Sequence, residues 1–115
     1  MMRRLFDLAI AAVALGFAVA AVAQDAASIE KGKAVFAGAK PACKMCHAVG
    51  GVGNAKAPLD KVGATAKADD IKAWLRTPKE MMAKKGAKGT MPVYGPDKIS
   101  DADLEALTAY LLSLK

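Results

Sequence analysis

Apolar positions in this chain recur at helical spacing over several short segments, and polar positions separate them. The apolar face over residues 29–36 predicts a first helix that begins near Asp25 or Ser28 and ends near Gly38. No stretch shows the strict alternation that is typical of a half-buried β-strand. The pattern therefore indicates an all-α fold class.

Two short helices are predicted in the middle of the chain. The first covers residues 69–76, where Ile71, Trp74 and Leu75 lie on the apolar side. The second begins after Thr77, which we expect to form a capping box with Glu80, and it ends at Gly86.

A final helix is predicted over residues 101–114, with Ser100 as its N-cap. Its apolar stripe contains Leu104, Leu107, Tyr110, Leu111 and Leu114. Residues 50–63 and 86–96 are rich in glycine and proline and are predicted to form loops. Loops of this length in a compact domain normally need something to pack on.

The N-terminal segment has the pattern of a targeting sequence. Two arginines precede an apolar, alanine-rich run over residues 8–22, and small residues end at Ala23. This order predicts a secretory signal peptide over residues 1–23, followed by one domain over residues 24–115. Cleavage after Ala20 is a second choice. An uncleaved anchor is the competing interpretation, but the run is short for a membrane span, so we expect no span after cleavage.

Composition limits what the domain can be. The chain has 115 residues, which is too short for a multidomain enzyme, and its two cysteines exclude a disulfide-dense miniprotein. Its single histidine excludes a metal site that needs two histidines from one chain. After the signal segment the aromatic residues are few, namely Phe36, Trp74, Tyr94 and Tyr110. We therefore expect a bound group to fill the middle of the domain.

One motif carries specific chemistry. Cys43-Lys44-Met45-Cys46-His47 is a C-x-x-C-H sequence, the spacing at which c-type haem is attached. Each thiol can form a thioether with one haem vinyl group, and the adjacent His47 can then bind the iron. Haem of this type is attached outside the cytoplasm, so the predicted signal peptide and the C-x-x-C-H motif support the same interpretation. The sequence predicts one covalent haem c per chain.

Three other interpretations of the motif are weaker. A disulfide between Cys43 and Cys46 would close a very short loop and constrain the unfolded chain little. A thioredoxin-like redox motif needs a βαβ context, which the pattern does not predict. A zinc site normally has four ligands, and with His47 the chain supplies three of the usual cysteine and histidine type.

A methionine is the expected sixth ligand of the iron, since the chain has no second histidine. Met45 lies inside the attachment motif and cannot reach the opposite face of the haem. Met91 is favoured because it lies in a loop and Pro92 biases it toward an extended backbone. Met81 and Met82 are the alternatives, although a helical methionine more often packs into the core.

With these residues in view, residues 28–115 resemble the class I cytochrome c family, especially its small bacterial periplasmic members. The resemblance implies short helices and long loops around one covalent haem, with the N- and C-terminal helices crossing. In the family a glycine and an aromatic residue of the first helix pack against a leucine and an aromatic residue of the last. The matching residues here are Gly32, Phe36, Leu107 and Tyr110.

The resemblance also implies roles at the haem site. Met91, within Lys88-Gly89-Thr90-Met91-Pro92, matches the axial methionine. Pro58 matches a proline whose carbonyl accepts the hydrogen bond of the iron-bound histidine, which would orient His47. Trp74 resembles a tryptophan near a haem propionate, although it could simply be a core residue.

These observations predict a periplasmic electron-transfer protein that is not an enzyme and whose iron cycles between Fe(II) and Fe(III). One alternative is a haem sensor or small peroxidase with an open sixth position. Another is a dedicated cytochrome subunit of a periplasmic dehydrogenase.

The charge balance indicates what kind of partner the protein meets. The chain has 17 Lys and Arg against 11 Asp and Glu, a formal net charge of +6. Six lysines lie close in sequence to the attachment motif or to Met91, namely Lys40, Lys44, Lys79, Lys84, Lys85 and Lys88. They would attract redox partner proteins with an acidic docking surface, such as a dehydrogenase or oxidase, or they could only solvate the surface. Export and the lack of basic residues interleaved with aromatic ones argue against nucleic acid.

Overall fold

The structure, a computed structural model, describes residues 17–115, with side chains from Ala26 onward. Most of the predicted signal peptide over residues 1–23 lies outside the described residues, so the signal peptide and its cleavage stay predictions. Among the helices that the structure describes, none is both long enough and apolar enough to span a membrane.

The described part of the chain is mostly helical, which confirms the all-α prediction. Its helices are α1 (Phe17–Gly38), α2 (Val62–Thr65), α3 (Ala68–Arg76), α4 (Pro78–Lys85) and α5 (Asp101–Leu112). A 3-10 turn over Cys43–Met45 and two short strands, β1 (Ala48–Val49) and β2 (Val52–Gly53), lie between α1 and α2.

The β1–β2 hairpin was not expected from the sequence. The strands pair in antiparallel fashion, with Val49 opposite Val52, and Gly50 and Gly51 form the turn. Both glycines have positive φ, 59° and 79°, as the two-residue turns of hairpins require. Each strand has two residues, which is too short for any alternation of apolar and polar positions.

Helix α1 is longer at its start than predicted. It begins at Phe17, upstream of the expected caps at Asp25 and Ser28, and it ends at Gly38 as expected. The alanine-rich sequence before Asp25 contains no helix breaker, so nothing interrupts the helix there. Helix α2 is a single turn that begins inside the predicted loop over residues 50–63 and ends two residues beyond it.

Helices α1 and α5 pack directly against each other, as the family resemblance implied. A side chain at Gly32 would collide with the carbonyl of Ala106 and with Cβ of Tyr110, so the contact needs glycine. The rings of Phe36 and Tyr110 meet edge to face at 5.8 Å between centroids. Gly32 thus lets the two backbones approach, and the aromatic pair lies beside the crossing.

Helix α5 is the central element of the core, and α1, α2 and α3 all contact it. The buried cluster consists of Ala39, Ile71, Leu75, Tyr94, Ile99, Leu104, Leu107, Tyr110 and Leu111. Cys43 and Met91 both pack against this cluster while remaining partly exposed. The core therefore supports both of the segments that the sequence connects with haem.

The ends of the later helices agree with the sequence in part. Pro78 is at the start of α4, and Gly86 ends it with φ of 65°. The expected Thr77 cap is wrong, because the hydroxyl of Thr77 donates to the carbonyl of Ala73 at 3.1 Å instead. A hydroxyl that binds back onto the preceding helix is not available to the next one.

Helix α5 has the cap that the sequence predicted at its start. Ser100 Oγ accepts a hydrogen bond from the Asp103 amide at 3.1 Å. The helix ends at Leu112, two residues before the predicted end at Leu114. The Leu114 carbonyl instead accepts a hydrogen bond from Gly63 N at 2.7 Å, which connects this end of the chain to α2.

Candidate functional site

The attachment motif forms a tight turn that presents its two thiols and its histidine close together. The carbonyl of Cys43 accepts hydrogen bonds from the amides of Cys46 at 3.2 Å and His47 at 2.9 Å. Both cysteines are free thiols, with Cys43 half-buried and Cys46 exposed. Burial is the main cause that raises the pKa of Cys43, so this thiol is neutral near pH 7.

The half-buried ring of His47 is oriented by one backbone carbonyl. Its Nδ1 lies 3.0 Å from the carbonyl oxygen of Ala57. Because a carbonyl can only accept, Nδ1 carries the hydrogen, so in the neutral ring Nε2 is the nitrogen whose lone pair can bind a metal. The ring is thus held in the tautomer that an iron ligand needs.

The prediction that the Pro58 carbonyl accepts this bond is wrong by one residue. Pro58 lies opposite Ala48 in an isolated parallel bridge. The hydrogen bonds of this bridge are made by the residues on either side of Pro58. The amide of Leu59 donates to the Ala48 carbonyl at 2.8 Å, and the Ala57 carbonyl faces Ala48 N at 3.4 Å. The Ala57 carbonyl is therefore the acceptor that the bridge places at the His47 ring.

The β1–β2 hairpin braces the attachment turn. The amide of Asn54 lies 3.0 Å from the Lys44 carbonyl and 3.2 Å from the His47 carbonyl, and its side chain donates to the Met45 carbonyl at 3.3 Å. Gly53, with φ of 112°, has no room for a side chain, because a Cβ would collide with the His47 carbonyl. The sequence analysis missed this role, although the glycines of this loop followed by Asn54 are a turn signal.

The structure separates the three candidate methionines after residue 80. Met81 is one of the buried hydrophobic residues, with only 5% of its surface exposed. Met82 and Met91 are half-buried and line the same cavity of about 650 Å³, together with residues of α4 and of the loop that follows it. The cavity brings two thioethers together, and the choice of Met91 stays a prediction.

Tyr94 connects the Met91 loop to the segment before Cys43. Its hydroxyl donates to the carbonyl of Pro41 at 2.6 Å, and its amide donates to the Leu75 carbonyl at 2.9 Å. Burial, with smaller contributions from negative charge on Cys43 and Cys46, raises the pKa of Tyr94 to about 12. The hydroxyl is therefore a donor at neutral pH. In the sequence Tyr94 is recognisable only as one of the few aromatic residues, and no local pattern indicates its bond to Pro41.

Arg76, at the end of α3, fixes the chain that follows Tyr94. Its Nη1 donates to the carbonyls of Tyr94 at 2.7 Å and Ile99 at 2.8 Å, and its Nη2 lies 2.9 Å from Asp101. The fork of donors on a guanidinium suits such multiple acceptors. One side chain thus joins the loop after Met91 to two helices.

Trp74 lies on α3 between the buried residues Ile71 and Leu75, but it is itself half-buried. A large indole that is left partly open is available to contact a bound group. Its place near a haem propionate stays a prediction.

All six lysines close to the motif or to Met91 are exposed. The ion pairs found in the described part of the chain are Lys31 with Asp103, Lys72 with Glu105 and Arg76 with Asp101, and the six lysines take part in none of them. Their charges are therefore not neutralised by direct pairing.

Two free thiols at this spacing, followed by a histidine held in the ligand tautomer, define a c-type cytochrome domain. The chain belongs to the family described as "Cytochrome C oxidase, cbb3-type, subunit III", whose model matches residues 27–111. This confirms the predicted resemblance to a small c-type cytochrome.

A curated relative agrees with the family match. The chain is 38% identical over 94 residues to a protein of Alkalihalophilus pseudofirmus named "Cytochrome c oxidase subunit 2". The match covers 74% of this chain and 25% of that protein, so the chain spans about a quarter of the relative's length. No solved structure gave a significant match.

The residues of the site fit covalent haem c. Cys43 and Cys46 are free to form thioethers, and the His47 ring engages the Ala57 carbonyl through Nδ1, which leaves Nε2 as the nitrogen for a metal. The cavity of about 650 Å³ lined by Met82 and Met91 lies beside the Met91 loop, and its lining does not include Cys43, Cys46 or His47. The predicted cofactor is thereby consistent with both the family and the geometry.

Proposed function

We propose that this domain is a monohaem electron carrier in which His47 and Met91 would be the two protein ligands of the iron. The observation that carries the proposal is the His47 ring, which follows two free thiols and is held by the Ala57 carbonyl at 3.0 Å. Haem c supplies the redox centre, an iron that gains and loses one electron. The protein's part is to tether, to ligate and to limit access of water.

Each residue has a distinct part in this proposal. The thioethers of Cys43 and Cys46 keep the haem attached in both oxidation states. The Ala57 carbonyl holds the His47 ring and makes it a better donor to iron. Met91 offers a soft thioether, which favours Fe(II) and raises the reduction potential. Trp74 contributes a polar N–H close to a haem propionate.

An electron carrier needs no substrate pocket and no acid or base that cycles, so the proposal assigns no catalytic residue. A sensor or peroxidase would require an open sixth position on the iron. What supports the carrier is that Met91 and Cys43 pack against the same buried cluster, so a thioether is available on the core that also supports the attachment motif.

We further propose that the protein is exported, works in the periplasm and exchanges electrons with an oxidase or a dehydrogenase. The oxidase is favoured because the family and the curated relative are both named for oxidase subunits. The unpaired lysines near the motif and Met91 would recognise an acidic docking surface on that partner. A permanent cytochrome subunit of such an enzyme is the second candidate, since it uses the same site.

The ligand assignment is tested by replacing Met91 and, as a matched control, Met82, which lines the same cavity. In the reduced Met91→Ala protein we expect carbon monoxide to bind and shift the visible spectrum, because the sixth position is open. The reduction potential should also fall. Met82→Ala should behave as the parent protein does. If Met82→Ala or Met81→Ala binds carbon monoxide and Met91→Ala does not, the ligand assignment is wrong.

A further inference from the structure

The hydroxyl of Tyr94 joins two segments that are far apart in the sequence. Tyr94 follows Met91 by three residues, and Pro41, whose carbonyl accepts the bond at 2.6 Å, precedes Cys43 by two. The hydrogen bond therefore links the loop of the proposed sixth ligand to the segment that carries the haem attachment.

All three polar groups of Tyr94 are engaged. The amide donates to Leu75, the carbonyl accepts from Arg76 and the hydroxyl donates to Pro41. The residue is 3% exposed and belongs to the buried cluster. Tyr94 is thus fixed to α3 on one side and to the attachment segment on the other.

The residues around Met91 have no comparable fixation. Within the described part of the chain, residues 88–93 make no backbone–backbone hydrogen bond. The bonds on either side of them are those of the Ala87 amide to Met82 and of the Tyr94 amide to Leu75. Most of this stretch is exposed, and Gly89 has φ of 117°. A segment with exposed residues and unbonded backbone is easily displaced. Tyr94 is consequently the first firm anchor after Met91.

We propose that Tyr94 is a positioning residue, whose hydrogen bond to Pro41 holds the Met91 loop against the haem-attachment segment and so limits release of Met91 from the iron. The inference rests on the proposed function, in which Met91 is the sixth ligand. Tyr94 acts through the loop and does not itself bind the iron.

The size of the effect follows from the energy of one hydrogen bond. Removing the Tyr94 hydroxyl loses the net contribution of a single part-buried hydrogen bond. That contribution corresponds to a change of about two- to tenfold in the fraction of molecules whose loop is released. An external ligand that competes with Met91 has an apparent affinity set by this fraction.

The test measures imidazole binding to the oxidised holoprotein by its visible spectrum. Tyr94→Phe keeps the ring in the core and removes the hydroxyl, so imidazole should bind about two- to tenfold more tightly. Tyr110→Phe is the matched control, because Tyr110 is also buried but packs against Phe36 away from this bond. Its imidazole affinity should stay within about twofold of the parent protein's, although both variants can lose stability toward denaturant. An unchanged affinity in Tyr94→Phe overturns the inference.

A double variant shows whether Tyr94 acts through Met91. In Met91→Ala protein the sixth position is open, so adding Tyr94→Phe should change the imidazole affinity no further. An equal increase in both backgrounds would overturn the positioning role.

A wrong assignment of Met91 as the iron ligand would give a different set of imidazole affinities. If Met91→Ala alone binds imidazole no more tightly than the parent, Met91 is not the ligand, and both the ligand assignment and this inference fall. If Met91→Ala binds tightly and Tyr94→Phe equals the parent, only the role of Tyr94 falls.

Discussion

At the scale of single residues, the site depends on backbone groups that side-chain motifs do not reveal. The C-x-x-C-H sequence identifies Cys43, Cys46 and His47 because bond formation to haem requires those groups at that spacing. The acceptor for His47 could not be read in the same way. It is Ala57 rather than Pro58, since the choice depends on the register of a bridge between two loops.

The hairpin next to this bond gives a prediction at the same scale. Gly53→Ala would place a Cβ against the His47 carbonyl, which must then move away from the Asn54 amide. Gly51→Ala is the control, because Gly51 also has positive φ but open space around it. We expect Gly53→Ala to lower the free energy of unfolding of the holoprotein by about 1–3 kcal/mol more than Gly51→Ala. Denaturant titrations of equal midpoint would show that the hairpin does not brace the turn.

At the scale of elements, the helices were largely predictable and the hairpin was not. The last helix was recognised from its leucine spacing and its Ser100 cap, both of which are local features. The contact of α1 with α5 was predicted from the family resemblance. The structure explains it by Gly32, which has no room for a side chain against α5. The link from Tyr94 to Pro41 spans 53 residues of sequence, and neither residue carries a local signal for it.

The helix crossing gives a prediction at this scale. Gly32→Ala places a methyl group against the Ala106 carbonyl, so the two helices must separate. Overpacking of this kind costs about 1–3 kcal/mol. Gly38→Ala, at the open end of the same helix, should be neutral or stabilise by up to about 1 kcal/mol. Thermal unfolding of the two holoproteins measures the difference, and equal melting temperatures would contradict the close approach at Gly32.

At the scale of the whole molecule, the basic surface bears on how the protein meets its electron-transfer partner. The formal net charge is +6, and six exposed lysines that pair with no acidic residue among those the structure describes lie on the segments that carry the attachment motif and Met91 or next to them. Basic residues so placed should speed encounter with an acidic partner, and salt should weaken this effect.

Replacing lysines near Met91 by neutral residues tests whether their charges steer the protein toward an acidic partner. Replacing Lys84, Lys85 and Lys88 by Gln should slow electron transfer to an acidic partner by about tenfold or more at low ionic strength, and the difference should shrink near 0.15 M salt. The matched control changes three exposed lysines outside both segments, Lys33, Lys61 and Lys67. Stopped-flow rates that fall equally in both triple variants would point to net charge alone and remove the docking role.

The central claim is that this domain carries haem with the sixth position closed by a thioether. The most direct measurement is the visible spectrum of protein exported together with haem-maturation machinery, recorded oxidised, reduced, and reduced with carbon monoxide. We predict a low-spin spectrum that carbon monoxide leaves unchanged. A high-spin spectrum that carbon monoxide shifts would contradict the carrier and favour a sensor or catalyst, and protein without haem would contradict the whole account.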